Sequence, residues 1–147
     1  MRKSTRFPAA VHIMTMLAAR PNDYMSSEII AGSMDTNRVV VRRLLALLAD
    51  AGLVSSQAGA AGGAKLERKA SQITLLDIYQ AVEPDSLFRL HTPNPKCPVA
   101  ACVTEDLQRV FADADRALAT QFAAKTLASV SKRGVQKMKE HLADLES

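Results

Sequence analysis

The sequence contains few aromatic residues: they make up 4% of its 147 residues, and tryptophan is absent. Modules that bind single-stranded RNA or DNA stack the bases on exposed aromatic side chains. The low aromatic content therefore argues against a binding surface of that kind.

Cysteine is also scarce, and long apolar runs are missing. Two cysteines are too few for a disulfide-stapled secreted fold or for a metal site made of four thiolates. No apolar run approaches the roughly 18 residues that a membrane-spanning helix requires. We therefore expect a cytoplasmic protein that does not enter a membrane.

The short motifs that mark common catalytic sites, such as GxSxG and HExxH, do not occur in the sequence. Its three histidines, His12, His91 and His141, fall on separate predicted elements. Four acidic residues are expected to form the solvated face of the longest predicted helix: Glu105, Asp106, Asp113 and Asp115. We therefore predict that the chain is not an enzyme and has no catalytic residues.

The formal net charge of +4 is divided unevenly along the chain. Residues 1–69 contain 10 Lys and Arg against 5 Asp and Glu, whereas the remainder contains 9 against 10. The first part thus has a net charge of +5 and the second a net charge of −1. Positive charge alone is equally compatible with a solvated surface and with a nucleic-acid partner.

The spacing of apolar residues predicts a mainly α-helical fold with one small β-hairpin. Helices are predicted over residues 5–19, 27–34 and 37–51, followed by extended segments at 53–56 and 64–68 around a glycine-rich turn. Three helices followed by a hairpin is the order of a winged helix-turn-helix domain.

The second half of the sequence is predicted to be helical. Thr74 and Asp77 have capping-box spacing at the start of a helix that ends at Pro84. Helices are then predicted over residues 99–123 and 127–145. The first of these has one wide apolar stripe that favours a partner helix: Val103, Leu107, Val110, Phe111, Ala114, Ala117, Leu118 and Phe122. The chain thus divides into residues 1–84 with the hairpin, a proline-rich loop (85–98) and a helical region (99–147).

The segment SEIIAGSMDTNRVVVRRLLALL, residues 27–48, has the layout of a helix-turn-helix. Six apolar residues of its second helix are expected to face inward: Val40, Val41, Leu44, Leu45, Leu47 and Leu48. Arginine can bind guanine in a bidentate manner, asparagine can pair with adenine, and an apolar side chain can contact the thymine methyl group. The residues predicted to contact DNA here are Ser26, Thr36, Asn37, Arg38, Val39, Arg42 and Arg43.

The hairpin adds a second candidate DNA contact. Lys65, Arg68 and the backbone of residues 59–63 could lie against phosphates or enter the minor groove. The glycines do not form a nucleotide-binding P-loop, because the spacing and the Lys-Ser/Thr pair of that motif are missing.

The chain resembles the Rrf-two (Rrf2) family of bacterial winged-helix transcription factors. The resemblance rests on Ser26 with TNRVVVRRLL, then AGLVSSQAGAAGG, ITLLDIYQAVE and NPKCPVAAC, and it covers nearly the whole chain. It implies a homodimer joined through the long C-terminal helix, with one helix-turn-helix per subunit, that acts as a repressor. It also implies that residues 1–84 form the winged helix-turn-helix DNA-binding domain, that residues 85–98 before the long helix form the sensor loop, and that residues 99–147 form the dimerisation region.

The resemblance further implies that iron–sulfur members of the family have three cysteines in this loop. This sequence has only Cys97 and Cys102. We therefore expect no cofactor and no metal site. The alternative is an iron–sulfur cluster with mixed ligands, in which His91 and His12 complete the set. Because His12 lies among the apolar positions of the first helix, however, it is expected to be buried.

A thiol switch is the favoured interpretation of the two cysteines. Cys97 precedes Pro98, which is favoured at the first helical position, so Cys97 is predicted to cap the long helix. The positive end of the helix dipole there favours the reactive thiolate. Residues five apart in a helix are roughly 8 Å or more apart, so a bridge to Cys102 requires the first turn to unwind. Cys97 could instead pair with a cysteine of the partner subunit.

Together these features predict a dimeric, sequence-specific regulator that binds double-stranded DNA and responds to an oxidant or a small molecule. The two recognition helices are expected to read half-sites about one helical turn apart, roughly 34 Å. The alternative is a helical dimeric module that binds a protein or a small ligand through residues 91–102.

Overall fold

The computed structural model describes residues 4–83 and 85–147. Its helices are α1 (Arg6–Ala19), α2 (Ser27–Met34), α3 (Arg38–Asp50), α4 (Leu75–Val82), α5 (Pro98–Ala123) and α6 (Leu127–Glu146). Strands β1 (Val54–Gln57) and β2 (Gly63–Leu66) form an antiparallel pair, and a short 3₁₀ turn spans Ala70–Gln72. The predicted fold class is confirmed. Pro84, predicted to end the fourth helix, lies outside the described residues.

Side-chain caps fix where the helices begin. The Ser26 hydroxyl accepts a hydrogen bond from the Ile29 amide at 3.3 Å, and the Asn37 amide oxygen accepts one from the Val40 amide at 3.0 Å. Thr74 and Asp77 form the predicted capping box, with hydrogen bonds of 2.9 and 3.1 Å. Since the first amides of a helix have no partner within the helix, these caps define the starts of α2, α3 and α4.

The turn between α2 and α3 contains a left-handed residue. Asp35 has φ = 51°, a conformation that aspartate tolerates better than most non-glycine residues. The amide of the next residue, Thr36, donates to the Ala31 carbonyl at 3.1 Å. The turn therefore reverses the chain within a few residues, and α3 follows at once.

One hydrophobic core joins the helices to the hairpin. Its fully buried side chains include Ile13 and Leu17 of α1, Val41 and Leu48 of α3, and Ile78 of α4. Val40 was predicted to face inward, but its side chain is 38% exposed and this prediction is wrong. His12 was expected to be buried and is exposed, because it lies where α1 borders an open groove beside α6.

The hairpin, hereafter the wing, is attached to the body through Met25. The Met25 amide and carbonyl exchange hydrogen bonds of 2.9 Å with the carbonyl and amide of Ala64. Ala64 and Leu66 of β2 point into the core, whereas Gly63 lies against the Met25 backbone. This isolated bridge fixes the wing next to the start of α2.

Helix α5 presents two different apolar faces. Phe122 contacts Phe7 and Tyr79, with ring centroids 5.1 and 5.5 Å apart, and Phe111 stacks on Phe88 at 5.0 Å. A separate row of residues on α5 is exposed: Val99, Val103 and Val110. The single stripe predicted from the sequence is thus divided, because its phenylalanines pack on the same chain.

Helix α6 returns along α1. A β-carbon on Gly134 would lie 2.9 Å from Cγ2 of Thr15, so the two helices approach closely at this point. Leu127 at the start of α6 and Leu142 near its end are both buried. Within residues 4–83 and 85–147, none of the helices combines the length and apolar character needed to cross a bilayer.

Candidate nucleic-acid interface

The exposed face of α3 is basic. Val41, Leu44 and Leu48 are buried, which turns Val39, Arg42 and Arg43 toward solvent. Val39 is 62% exposed although it is apolar, so it is available for contact with a partner. Within the part of the chain that the structure describes, neither Arg42 nor Arg43 forms an ion pair with a carboxylate.

One flank of α3 borders a cleft closed on its other side by the wing. Arg38 and Arg42 of α3 line this cleft with Ser26, which caps α2. The wing contributes Gln57 and the turn around Gly59. Within the cleft Arg38 forms an ion pair with Glu28, so its charge is partly balanced, whereas that of Arg42 is not. The structure therefore brings together Ser26, the recognition helix and the wing turn at one cleft.

Besides Ser26 and Arg38, three more of the predicted DNA contacts already make contacts within the chain. Asn37 uses its amide oxygen to cap α3, so bidentate pairing with adenine would require this cap to open. Lys65 places Nζ 4.9 Å from the centroid of the Tyr24 ring, a cation–π contact. Arg68 pairs with Asp77 at 3.4 Å. Thr36 is half-buried in the turn before α3.

The second flank of α3 faces the start of α1. Arg43 lines a small pocket there with Arg6, on the side away from the wing. Sequence reasoning missed Arg6, because nothing in the spacing of α1 shows that its first residue packs beside α3. The arginines Arg42 and Arg43, adjacent in sequence, thus line two different pockets.

Both cysteines lie at the start of α5. Cys97 is the N-cap residue, half-buried, and Pro98 occupies the first turn, as predicted. Cys102 is exposed within the helix. Since α5 is regular from Pro98 onward, the two thiols are separated by more than one helical turn of intact backbone.

The loop between α4 and α5 is attached to α5 by Asp115. Its carboxylate accepts hydrogen bonds from the Ser86 hydroxyl and, at 3.1 Å, from the Leu87 amide. These two hydrogen bonds hold the pKa of Asp115 below its ordinary value, and the bond from Ser86 has the larger effect. Asp115 was expected to belong to a purely solvated face, and it instead holds the loop. Nearby, burial, together with Glu83 and Asp115, raises the pKa of Tyr79.

The potential metal ligands of the described residues are dispersed over the chain. Among residues 4–83 and 85–147, no three His, Cys, Asp or Glu side chains are grouped so that they could hold a metal ion. The structure therefore does not bring His91 and His12 together with both cysteines in one chain. His12 instead lines a groove between α1 and α6 with His141. Within the described residues, a single chain therefore does not bring together the four protein ligands that such a cluster requires.

A recognition helix with an exposed basic face, preceded by a short helix and followed by a wing, defines the winged helix-turn-helix class of DNA-binding proteins. The sequence matches the Rrf2 family, described as "Iron-dependent Transcriptional regulator", over residues 3–133. This chain belongs to the Rrf2 family of transcriptional regulators.

Individual relatives match most of the chain. It is 40% identical to "Putative HTH-type transcriptional regulator YwnA" of Bacillus subtilis (strain 168) over 129 residues, which cover 86% of this chain and 95% of that protein. A crystal structure of "a putative DNA binding protein" is 37% identical, with a TM-score of 0.72, covering 86% of this chain and 98% of that one. The global cysteine regulator CymR of B. subtilis shares the fold, at 24% identity and a TM-score of 0.65, covering 90% of this chain and 98% of that one.

Proposed function

We propose that this protein is a homodimeric, sequence-specific repressor that binds duplex DNA and releases it when Cys97 is oxidised. The observation that carries the proposal is the exposed basic face of α3 beside the wing cleft. With its side chains an α-helix is about 10–12 Å across, which matches the major groove of B-DNA at about 12 Å. Val39 and Arg42 are then placed to meet base edges, and the wing turn to meet the backbone.

The exposed row on α5 supports the dimer. None of the 26 residues of α5 is buried, although Val99, Val103 and Val110 are apolar. With Ala114 and Ala117 this row runs along the helix for roughly 27 Å at 1.5 Å per residue. A second copy of α5 would cover it. Two-fold symmetry would then place the two recognition helices on successive turns of DNA, as a palindromic operator requires.

The position of Cys97 supports a thiol switch. Cys97 is the N-cap residue of α5, the helix that forms the proposed dimer contact. Asp115 of the same helix holds the loop that precedes Cys97. In the proposed reaction, two thiols and one hydrogen peroxide give a disulfide and two molecules of water. The second thiol is Cys102, after the first turn of α5 unwinds, or a cysteine of the partner subunit. Either bridge changes the start of α5 and thereby the spacing of the recognition helices.

The proposal is tested by sequencing the genomic DNA fragments that the purified protein retains, with and without hydrogen peroxide. We expect a small set of fragments that share a palindrome and are released by peroxide from the wild type but not from Cys97→Ser. A reporter gene placed behind such a fragment should be expressed less when the protein is present. Retention of DNA fragments without sequence preference would contradict sequence-specific binding. Equal release of DNA by peroxide from the wild type and from Cys97→Ser would contradict the thiol switch.

A further inference from the structure

The arginines without ion pairs are concentrated around α3. Ten arginines lie in residues 4–83 and 85–147, and six of them pair with a carboxylate: Arg20, Arg38, Arg68, Arg89, Arg109 and Arg116. The other four are Arg6, Arg42, Arg43 and Arg133. Three of these four line pockets that border the recognition helix, and only Arg133 lies on α6. The fold thus leaves arginine charge unbalanced mainly beside α3.

Arg6 and Arg43 share one pocket, although 37 positions separate them in the sequence. The pocket lies between the first turn of α1 and the flank of α3 that faces away from the wing. Its floor is formed by the apolar side chains of Ala9, Val40 and Leu44, and no carboxylate lines it. Its volume of about 270 Å³ is below the roughly 300–1,000 Å³ of sites for organic ligands.

A helix inserted in the major groove has one DNA strand on each flank. When the ridge of α3 with Val39 and Arg42 faces the base edges, the wing turn on one side of the helix meets one backbone. The pocket of Arg6 and Arg43 then meets the backbone of the other strand. Two guanidinium groups without a carboxylate partner suit a phosphate, because arginine binds phosphate oxygens in a bidentate manner. The apolar floor suits the deoxyribose beside that phosphate.

We propose that Arg6 and Arg43 together bind one backbone phosphate of the operator, on the strand opposite to the one that the wing contacts. The inference rests on the proposed function, since it assumes that α3 enters the major groove. It changes the predicted role of Arg43 from reading a base to positioning the protein on the DNA. It also adds α1 to the DNA-binding surface.

The test is the salt dependence of binding to a 30-base-pair duplex selected from a random pool by the wild-type protein. Arg6→Ala and Arg43→Ala should each lower the slope of log K against log salt concentration by about 1–2 per dimer, because each removes part of a phosphate contact in both subunits. Both variants should select the same sequence as the wild type. Arg133→Ala, which removes an equally unpaired arginine far from α3 in sequence, should leave the slope unchanged.

Two further variants separate a phosphate contact from a base contact. Arg43→Lys should keep both the slope and the selected sequence, because lysine still provides a positive charge to a phosphate. A neutral methylphosphonate at the contacted position should weaken binding by the wild type more than binding by Arg6→Ala, which retains only the Arg43 contact. If Arg6→Ala and Arg43→Ala both keep the salt dependence of the wild type while Arg42→Ala binds the duplex more weakly, the phosphate site is overturned. The proposed function as a DNA-binding protein would then still stand. Altered sequence selection by Arg43→Lys would also overturn it, and a wild type that binds no duplex would overturn the proposed function itself.

Discussion

Gly63 lies so close to Met25 that a β-carbon on the glycine would be 2.1 Å from the Met25 carbonyl oxygen. Its φ of +147° is also a conformation that residues with a side chain rarely adopt. Both facts follow from the bridge between Met25 and Ala64, which fixes the wing beside the start of α2. The position of the wing relative to α3 therefore depends on this glycine.

Replacing this glycine should loosen the wing. We expect Gly63→Ala to lower the free energy of unfolding by about 1–3 kcal/mol, from backbone strain and loss of the Met25 bridge. DNA affinity should fall as well, because the wing turn no longer closes the cleft. Chemical denaturation and a DNA-binding titration measure the two effects.

Gly32 provides the matched control. It lies inside α2, where an added β-carbon meets nothing within 4 Å. Gly32→Ala should therefore stabilise the protein by roughly 0.5–1 kcal/mol, the usual difference between the two residues in a helix. A Gly63→Ala protein as stable as the wild type would show that the wing is not held in the way described.

The proposed dimer contact can be tested with two valines of nearly equal exposure. Val103 of α5 is 42% exposed and Val130 of α6 is 44% exposed, but only Val103 belongs to the row on α5. Val103→Asp should yield monomers in sedimentation velocity, because a charge would be buried in an apolar contact. Val130→Asp should sediment like the wild type. A dimer that survives Val103→Asp and dissociates with Val130→Asp would move the interface to α6.

The attachment of the loop to α5 should show in the titration of Asp115. Its pKa is lowered mainly by the Ser86 hydroxyl, so Ser86→Ala should raise it toward the ordinary value, whereas Ser86→Thr should keep it low. Because the folded pKa is depressed, the stabilisation is present at neutral pH and is lost as the pH falls below 3.8 toward the folded pKa. NMR of the side-chain carboxyl measures the shift. Identical titration of Asp115 in the wild type and Ser86→Ala would mean that the loop is not attached there.

Features that depend on neighbouring residues could be predicted from the sequence. The capping box of Thr74 and Asp77 and the N-cap at Cys97 follow from residue type and spacing within one turn. Features that depend on tertiary packing between distant elements could not be predicted from the sequence. The pocket of Arg6 and Arg43 exists only because α1 packs beside α3.

The errors at His12 and Phe122 have the same origin. Helical periodicity shows that a helix has an apolar side, but it does not show which element covers each part of that side. His12 borders the groove beside α6, and Phe122 is taken up by Phe7 and Tyr79 of its own chain. Both placements required the full packing of α1, α4, α5 and α6.

The central claim is that α3 and the wing bind duplex DNA through Arg42. The most direct test is fluorescence anisotropy with the selected duplex at a fixed salt concentration of about 0.15 M, comparing Arg42→Ala with Arg133→Ala. Both remove one unpaired, exposed arginine and the same charge. We predict that Arg42→Ala weakens binding by about 1–3 kcal/mol, roughly 5- to 150-fold, while Arg133→Ala binds like the wild type. Equal affinity of the two variants would contradict the claim.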